Sequence, residues 1–261
     1  MLPIINIGLR AARNASEQVV RSMERLDMIH DEGQDLNDHL RKLCQNTEKS
    51  IAYEIHKAHP EQEVIGLFSG SINTPDEPSN KQWRVNAIDG LEQYATSLPL
   101  FCVTMACYED GKIVHSIILN CSNGDEYCAS KGRGAQLNGR RVRVSKRKDI
   151  SGSQLHGGCS SNTDLMGQFD HNQAIQRDLF SQGAALYSQL GNNLSLAHVA
   201  SGRLDGLWHS QLDETVDAGL LLVQEAGALV ADFKGGNALN NGELVCANPK
   251  LLKHMLKAVN A

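Results

Sequence analysis

WRVNAIDGLEQY, residues 83–94, alternates apolar and polar positions from Trp83 to Ala87 and then meets the pair Asp89-Gly90. QWRVNAI reads as a strand-like run, and the Asp-Gly pair as a turn after it. An aspartate accepts hydrogen bonds from nearby backbone N–H groups, and glycine permits positive φ, so the two residues together shape a tight loop. The loop has the outline of an acidic metal loop with most of its acid gone, because its one carboxylate is surrounded by Asn86, Ala87, Ile88 and Leu91.

The segments on either side place this strand in an alternating α/β chain. Residues 3–26 bring Ile5, Leu9, Ala12, Ala15, Val19 and Met23 to one side at a period near 3.6, which predicts a long amphipathic helix. A second helix is expected near residues 40–58 after the polar stretch DEGQDLND. EVIGLF, LFCVTMACYED and KIVHSIILNCS read as strands, the last two joined as a hairpin at Gly111. Asn138-Gly139 is a strong two-residue hairpin signal. Beyond Ser151 the order is strand QLHGGCS, helix NQAIQRDLFSQ, strand ALYSQL, helix NNLSLAHVASG and strand LDGLWHS. Helix VDAGLLLVQEAG, strands ALVADF and ELVCAN, and helix PKLLKHMLKAV follow, Pro249 suiting a first helical turn. The expected fold class is α/β with mixed sheets in a layered sandwich. An N-terminal half of about 1–150 and a C-terminal half of about 151–261 are expected to pack as one unit.

Composition narrows the function. The 261 residues are 41% hydrophobic and 21% charged, as in an ordinary globular protein. No apolar run of 18 residues occurs, and Arg10 and Arg13 interrupt the N-terminal pattern, so neither a membrane span nor a signal peptide is expected and the location is expected to be cytoplasmic. The seven cysteines are odd in number and never spaced C-x-x-C, which predicts reduced, mostly buried thiols. His156-Gly-Gly-Cys159 has no second half to complete a metal tetrad. The net charge of −5 gives no global attraction to nucleic acid. Locally, however, KGRGAQLNGRRVRVSKRK carries eight Lys/Arg between Lys131 and Lys148. This segment is either a solvated hairpin or a polyanion or partner contact, with Arg140, Arg141, Arg143, Lys146, Arg147 and Lys148 as its footprint. Ser69, Ser160 and Ser161 lack a visible His-Asp arrangement, and His198 reads as an interior histidine on an apolar helix.

In the order WRVNAIDG, KGRGAQLNGRRVRVS, VASGRLDGLW, DAGLLLVQEAGALVADFKGG and CANPKLL, the chain resembles the inositol monophosphatase family over essentially its whole length. The resemblance implies an α/β/α/β/α five-layer sandwich, a homodimer, and a site where magnesium ions hold a phosphate ester. Magnesium is a hard cation that wants oxygen ligands in octahedral array, so the family supplies acids from a G-E-E-S segment, a D-P-[IL]-D-G-T loop and a W-D-x-A-[AG]-G helix start. Laid on this chain, the first falls on Gly66, Leu67, Phe68 and Ser69. The second falls on residues 86–91, keeping Asp89 and Gly90 but placing Asn86 and Leu91 where an acid and a hydroxyl belong. The third falls on Glu214 to Gly219, with Thr215 at the liganding position and Asp213 or Asp217 as a shifted substitute. The family's early-helix aspartate falls near Cys44, and its substrate-contacting glutamate at Trp208 or His209.

One carboxylate about 4 Å from a charge is worth roughly 4 kcal/mol per unit charge at an effective dielectric near 20, so a dication loses heavily with each acid removed. No catalytic residue and no cofactor is expected. A vestigial pocket of Phe68, Ser69, Asn86, Asp89, Gly90, Leu91, Thr215 and Asp217 would hold metal weakly at most, through Asp89, or an anion on the amides of Gly90 and Leu91. The resemblance then implies a non-catalytic regulator or scaffold in ribosomal-RNA transcription antitermination, touching NusA, RNA polymerase or RNA. The alternative is a magnesium-dependent phosphomonoesterase of inositol 1-phosphate or a sugar phosphate, with ligands rearranged among Asp76, Glu77, Glu92, Asp213, Glu214 and Asp217.

Overall fold

A computed structural model describes residues 2–24, 26, 35–76, 79–158, 165–188, 192–210, 216–236 and 242–260. The expected amphipathic helix is α1 (Pro3–Met23), started by Pro3 and burying Ile5, Leu9, Ala12, Ala15 and Val19. Helix α2 (Leu36–Ala58) begins four residues earlier than the periodicity suggests, because the Asp35 side chain accepts from the N–H groups of Asn37 and Asp38 at 2.9 and 3.3 Å and caps it.

Both helices lie on one face of an eight-stranded sheet. Its strands are β1 (Glu63–Gly66), β2 (Gly70–Asn73), β3 (Lys81–Asp89), β4 (Cys102–Glu109), β5 (Lys112–Asn120), β6 (Glu126–Ser130), β7 (Gly134–Leu137) and β8 (Arg140–Val142). The order is β2-β1-β3-β4-β5-β6-β7-β8, with β1 and β3 parallel and every other neighbouring pair antiparallel. The period-2 geometry of β3 sends Trp83 and Val85 toward α1 and α2, where they pack with Ile5, Leu9, Met105 and Ile117. Arg84 and Asn86 therefore face the other way. Between β3 and β4 runs the short helix α3 (Leu91–Ala95). Asn138 and Gly139 take φ of 51° and 75°, so the expected two-residue hairpin joins β7 to β8.

The opposite face of this sheet carries α5 (Asn192–Ala200) and α6 (Asp217–Ala226), whose Leu194, Leu196, Val199, Leu222 and Val223 pack with Cys102, Ile118 and Tyr127. The same cluster takes in Leu207, Leu244 and Cys246 of a second sheet, so α5 and α6 are a layer buried on two sides. That sheet orders β10 (Ala185–Tyr187), β9 (Gln154–Gly158), β11 (Gly206–His209), β13 (Leu244–Ala247) and β12 (Leu229–Ala231). Its far face packs Leu155, Trp208 and Val245 against α4 (Leu165–Ser181) and α7 (Pro249–Ala258). Read through the core clusters, the layers run α1/α2, first sheet, α5/α6, second sheet, α4/α7, the five-layer sandwich that the resemblance implies. Among the described residues, no helix is long and apolar enough to cross a membrane.

Candidate functional site

The segment expected to carry two glutamates leaves β1 at Gly66, and its backbone is held by α2. Glu48, one of the buried residues of α2, accepts hydrogen bonds from the N–H of Phe68 at 3.1 and 3.2 Å and of Ser69 at 2.9 Å. Gln45 Nε2 donates to the Phe68 carbonyl at 3.2 Å. Burial raises the Glu48 carboxyl above the usual carboxylate range, against the opposing pull of the Ser69 and Phe68 hydrogen bonds. A Cβ on Gly66 would stand 2.3 Å from Glu48 Oε2, so glycine is what leaves room for this carboxylate. Phe68 packs against the apolar cluster around Ile88, Tyr94 and Phe101. Cys44 is buried in that cluster, and burial, with the nearby Glu48 charge, pushes its thiol up to about 12.

Asn86 turns its side chain onto its own loop, Oδ1 accepting from the Ile88 N–H at 3.1 Å. Asp89 is 4% exposed. Its Oδ2 accepts from the Asn193 N–H at 3.1 Å, at the first turn of α5, and from the Cys102 thiol at 3.4 Å. An anion at a helix N-terminus answers both the orphan amides and the dipole of that helix. Gly90 follows with φ 92° and its carbonyl accepts from Tyr94 N, while Leu91 packs into the Phe101 cluster. Asn193, the residue that Asp89 caps, passes the support on: its Oδ1 accepts from the Gly219 N–H at 2.9 Å in α6.

Asp217, at the start of α6, lines a cavity of about 320 Å³ together with Gly66, Leu67, Asn86 and Ala218. Its carboxylate accepts from the Tyr108 hydroxyl and lies 3.6 Å from Arg84 Nη1, and the Arg84 guanidinium sits over the Tyr108 ring at 4.6 Å from its centroid. Asp213, Glu214, Thr215, Glu77, Cys159, Ser160 and Ser161 lie outside the described residues. Asp76 and Glu92 are exposed. The structure thus brings Asn86 and Asp217 to one cavity and takes Asp89 into the α5 cap.

The residues described fit a magnesium ion poorly. Leu67 and Phe68 offer no ligating oxygen on their side chains, Asn86 turns its oxygen to its own loop, and Asp217 already answers a phenol and a guanidinium. Among the described residues, no group of three or more His, Cys, Asp or Glu is placed to hold a metal. Trp208 and His209 are buried. His156 is 1% exposed and lies 5.4 Å from His209 between ring centroids. Burial, with the neighbouring histidines, lowers its pKa to about 3. His198 differs from the expected satisfied interior histidine: its Nδ1 is buried and has no hydrogen-bond partner among the described residues.

The basic segment divides in two. Arg143 Nη1 donates to the Glu225 carbonyl at 3.1 Å, and Arg147 Nε donates to Asp205 Oδ2 at 3.1 Å while its Nη1 donates to the Ser151 carbonyl. Asp205, expected within the strand LDGLWHS, lies just before β11 and is a hub that also takes the Gln154 N–H and the Ser145 hydroxyl. Arg143 and Arg147 are therefore internal braces. Arg140, Arg141, Lys146 and Lys148 are exposed and make no ion pair among the described residues.

Sequence reading missed Glu48, Arg84, Tyr108 and Asn193. Only Arg84 carried a signal, as a polar residue on the same strand face as Asn86.

The chain matches the model of the inositol monophosphatase family over residues 1–261. It is 37% identical over 261 residues to Nus factor SuhB of Pseudomonas aeruginosa, covering 99% of this chain and 96% of that one. To Nus factor SuhB of Escherichia coli K12 the identity is 32%, covering 98% and 95%. Extragenic suppressor protein SuhB of Bartonella henselae superposes with a TM-score of 0.83 at 27% identity, each chain covered 100%. An inositol monophosphatase from Anabaena, at 22% identity and a TM-score of 0.76 over 98% of this chain and 94% of that one, shares the fold. With the layers, the loop at 86–91 and these matches in agreement, the chain belongs to the inositol monophosphatase family.

Proposed function

We propose that this chain acts by binding partners in ribosomal-RNA transcription antitermination, as a non-catalytic regulator or scaffold, and not by hydrolysing phosphate esters. The observation that carries the reading is the position of Asp89: the carboxylate retained in the loop at 86–91 caps α5 and receives a thiol, an arrangement that serves the fold. Relatives named Nus factor SuhB, at 37% and 32% identity over nearly the whole chain, support the same reading. Its partners are NusA and RNA polymerase or RNA, its state a cytoplasmic homodimer, and its docking charge Arg140, Arg141, Lys146 and Lys148. One observation favours the alternative of a magnesium-dependent phosphomonoesterase: Asp217 lines the cavity beside Asn86.

Two measurements separate the readings. Calorimetric titration with magnesium and a phosphate-release assay on inositol 1-phosphate should both be silent, and turnover that Asp89→Asn abolishes would establish the enzyme. A pull-down against NusA and RNA polymerase should retain the wild-type chain and lose the variant with Arg140, Arg141, Lys146 and Lys148 changed to Gln. Retention of neither partner by the wild type would end the scaffold reading.

A further inference from the structure

His115 of β5 and Ser130 of β6 are register partners, so their side chains stand together on one face of the first sheet. It is the α1 face, where Ile117 and Cys128 of the same two strands pack with Ile5. Ser130 Oγ lies 2.9 Å from His115 Nδ1. A serine within hydrogen-bond reach of an imidazole is the pairing that activates a hydroxyl as a nucleophile. Such a pair serves packing alone unless a reacting carbonyl has room beside it. Here there is room, because Ser130 lines a cavity of about 430 Å³ between the start of α1 and the turn from β6 to β7. Leu2 and Ile5 make its apolar wall, while Arg133 and Gln136 bring N–H donors. The cavity lies across the sheet from Asn86 and Asp217 and shares no residue with theirs.

The nucleophile is held in place from two sides. The Arg133 N–H donates to the Ser130 carbonyl at 2.8 Å, closing the turn directly after the serine. Glu225 of α6 then clamps that turn, its two carboxylate oxygens accepting from the N–H groups of Gly132 and Gly134 at 2.7 Å each. A geometry fixed in advance spares the entropy of assembling it around a substrate. Arg133, three residues after the serine, brings a guanidinium to the same cavity as a donor for a developing oxyanion. Burial lowers the pKa of His115, with the Lys81 and Arg133 charges adding to the effect and Glu109 opposing it. The ring is therefore neutral at pH 7 and free to take a proton, though as a weak base it suits esters with good leaving groups.

We propose that Ser130 and His115 are a metal-independent nucleophile and base that hydrolyse small carboxylic esters, the acyl chain lying against Leu2 and Ile5 and the carbonyl oxygen toward Arg133. Ser130 Oγ bonds to the ester carbonyl carbon and its proton passes to His115 Nδ1. The carbon–oxygen bond to the alcohol then breaks, and His115 returns the proton to the departing oxygen, leaving an acyl ester on Ser130. Water, deprotonated by His115, attacks that ester and releases the acid, so ester and water become acid and alcohol with the enzyme restored. The volume suits an ester of a few carbons on each side. The inference does not rest on the partner-binding role, which an inert serine would leave standing.

The test uses the full chain in excess chelator with p-nitrophenyl butyrate as probe. Saturable release of p-nitrophenol is expected, and peptide mapping of the acid-quenched reaction should place a butyryl group on Ser130. Ser130→Ala should abolish the adduct and lower the rate at least about a hundredfold, and His115→Gln should lower it by about 10²–10⁴, each variant first checked for a wild-type melting profile. No release above the buffer rate, equal release by Ser130→Ala, or butyryl groups on lysines alone would overturn the proposal. Because the adduct map is read on the wild-type chain, it decides the question even if both variants fail to fold.

Discussion

Asp89 Oδ2 lies 3.1 Å from the backbone nitrogen of Asn193, 104 residues further along the chain, and so ties the loop after β3 to the first turn of α5. The contact is buried, and its loss would leave both an amide and a thiol without their acceptor. Asp89→Ala should lower unfolding free energy by about 2–3 kcal/mol, and Asp89→Asn, which keeps an acceptor oxygen, by roughly half as much. Urea melts at neutral pH decide the matter; equal midpoints for wild type and Asp89→Ala would show that the cap contributes nothing.

His156 makes stability depend on acid. Its pKa falls from 6.5 to about 3 on burial, so the unfolded chain takes up a proton that the folded chain refuses. The stability associated with the neutral ring is complete above pH 6.5 and is lost as pH falls toward 3. At pH 5 the loss reaches about 2 kcal/mol. His156→Gln should flatten the fall in urea midpoint between pH 7.5 and pH 5, and an unchanged slope would assign the acid sensitivity elsewhere.

Gly157 faces the indole of Trp208, and a Cβ there would stand 2.1 Å from Cε2 of the ring. Neither partner has room to move, since Trp208 is fully buried and its Nε1 donates to Asn172 Oδ1. Gly157→Ala should therefore destabilise the chain by about 3 kcal/mol or more through overpacking, and adding Trp208→Leu should recover part of that loss. Thermal melts of the single and double variants read this coupling directly.

Glu48 and Gly66 form a second coupled pair. Gly66→Ala pushes a methyl onto Glu48 Oε2 and should free the amides of Phe68 and Ser69, which hydrogen exchange would report as faster exchange at those two positions. Glu48→Gln keeps an acceptor and should leave Gly66 and its loop in place. Faster exchange confined to β1 itself, with Phe68 and Ser69 unchanged, would contradict the pairing.

Periodicity carried the fold a long way. The run QWRVNAI was legible as a strand, though not which face its residues take, and the 3.6 spacing of Ile5 to Val19 assigned the buried side of α1. Boundaries slipped where capping or packing decides them: α1 ends at Met23, β10 stops at Tyr187, and α4 begins at Leu165, well before the expected Asn172. The site was legible only as positions in motifs. Asp89 was readable as a turn residue because that role is local. Its bond to Asn193, the Tyr108–Asp217 contact across 109 residues and the Glu48 grip on Phe68 join distant elements, and no spacing rule reaches between them.

The hairpin at Asn138-Gly139 ends in β8, the three-residue border of the larger sheet, with Arg140 and Arg141 on it and no strand beyond among the described residues. A border of unpaired backbone groups invites another chain to add itself, yet any newcomer would have to dehydrate two guanidinium groups over a span too short to repay it. The arginines therefore act as a guard against fibrous self-assembly, and replacing both with valine should turn a well-behaved protein into one that precipitates on concentration.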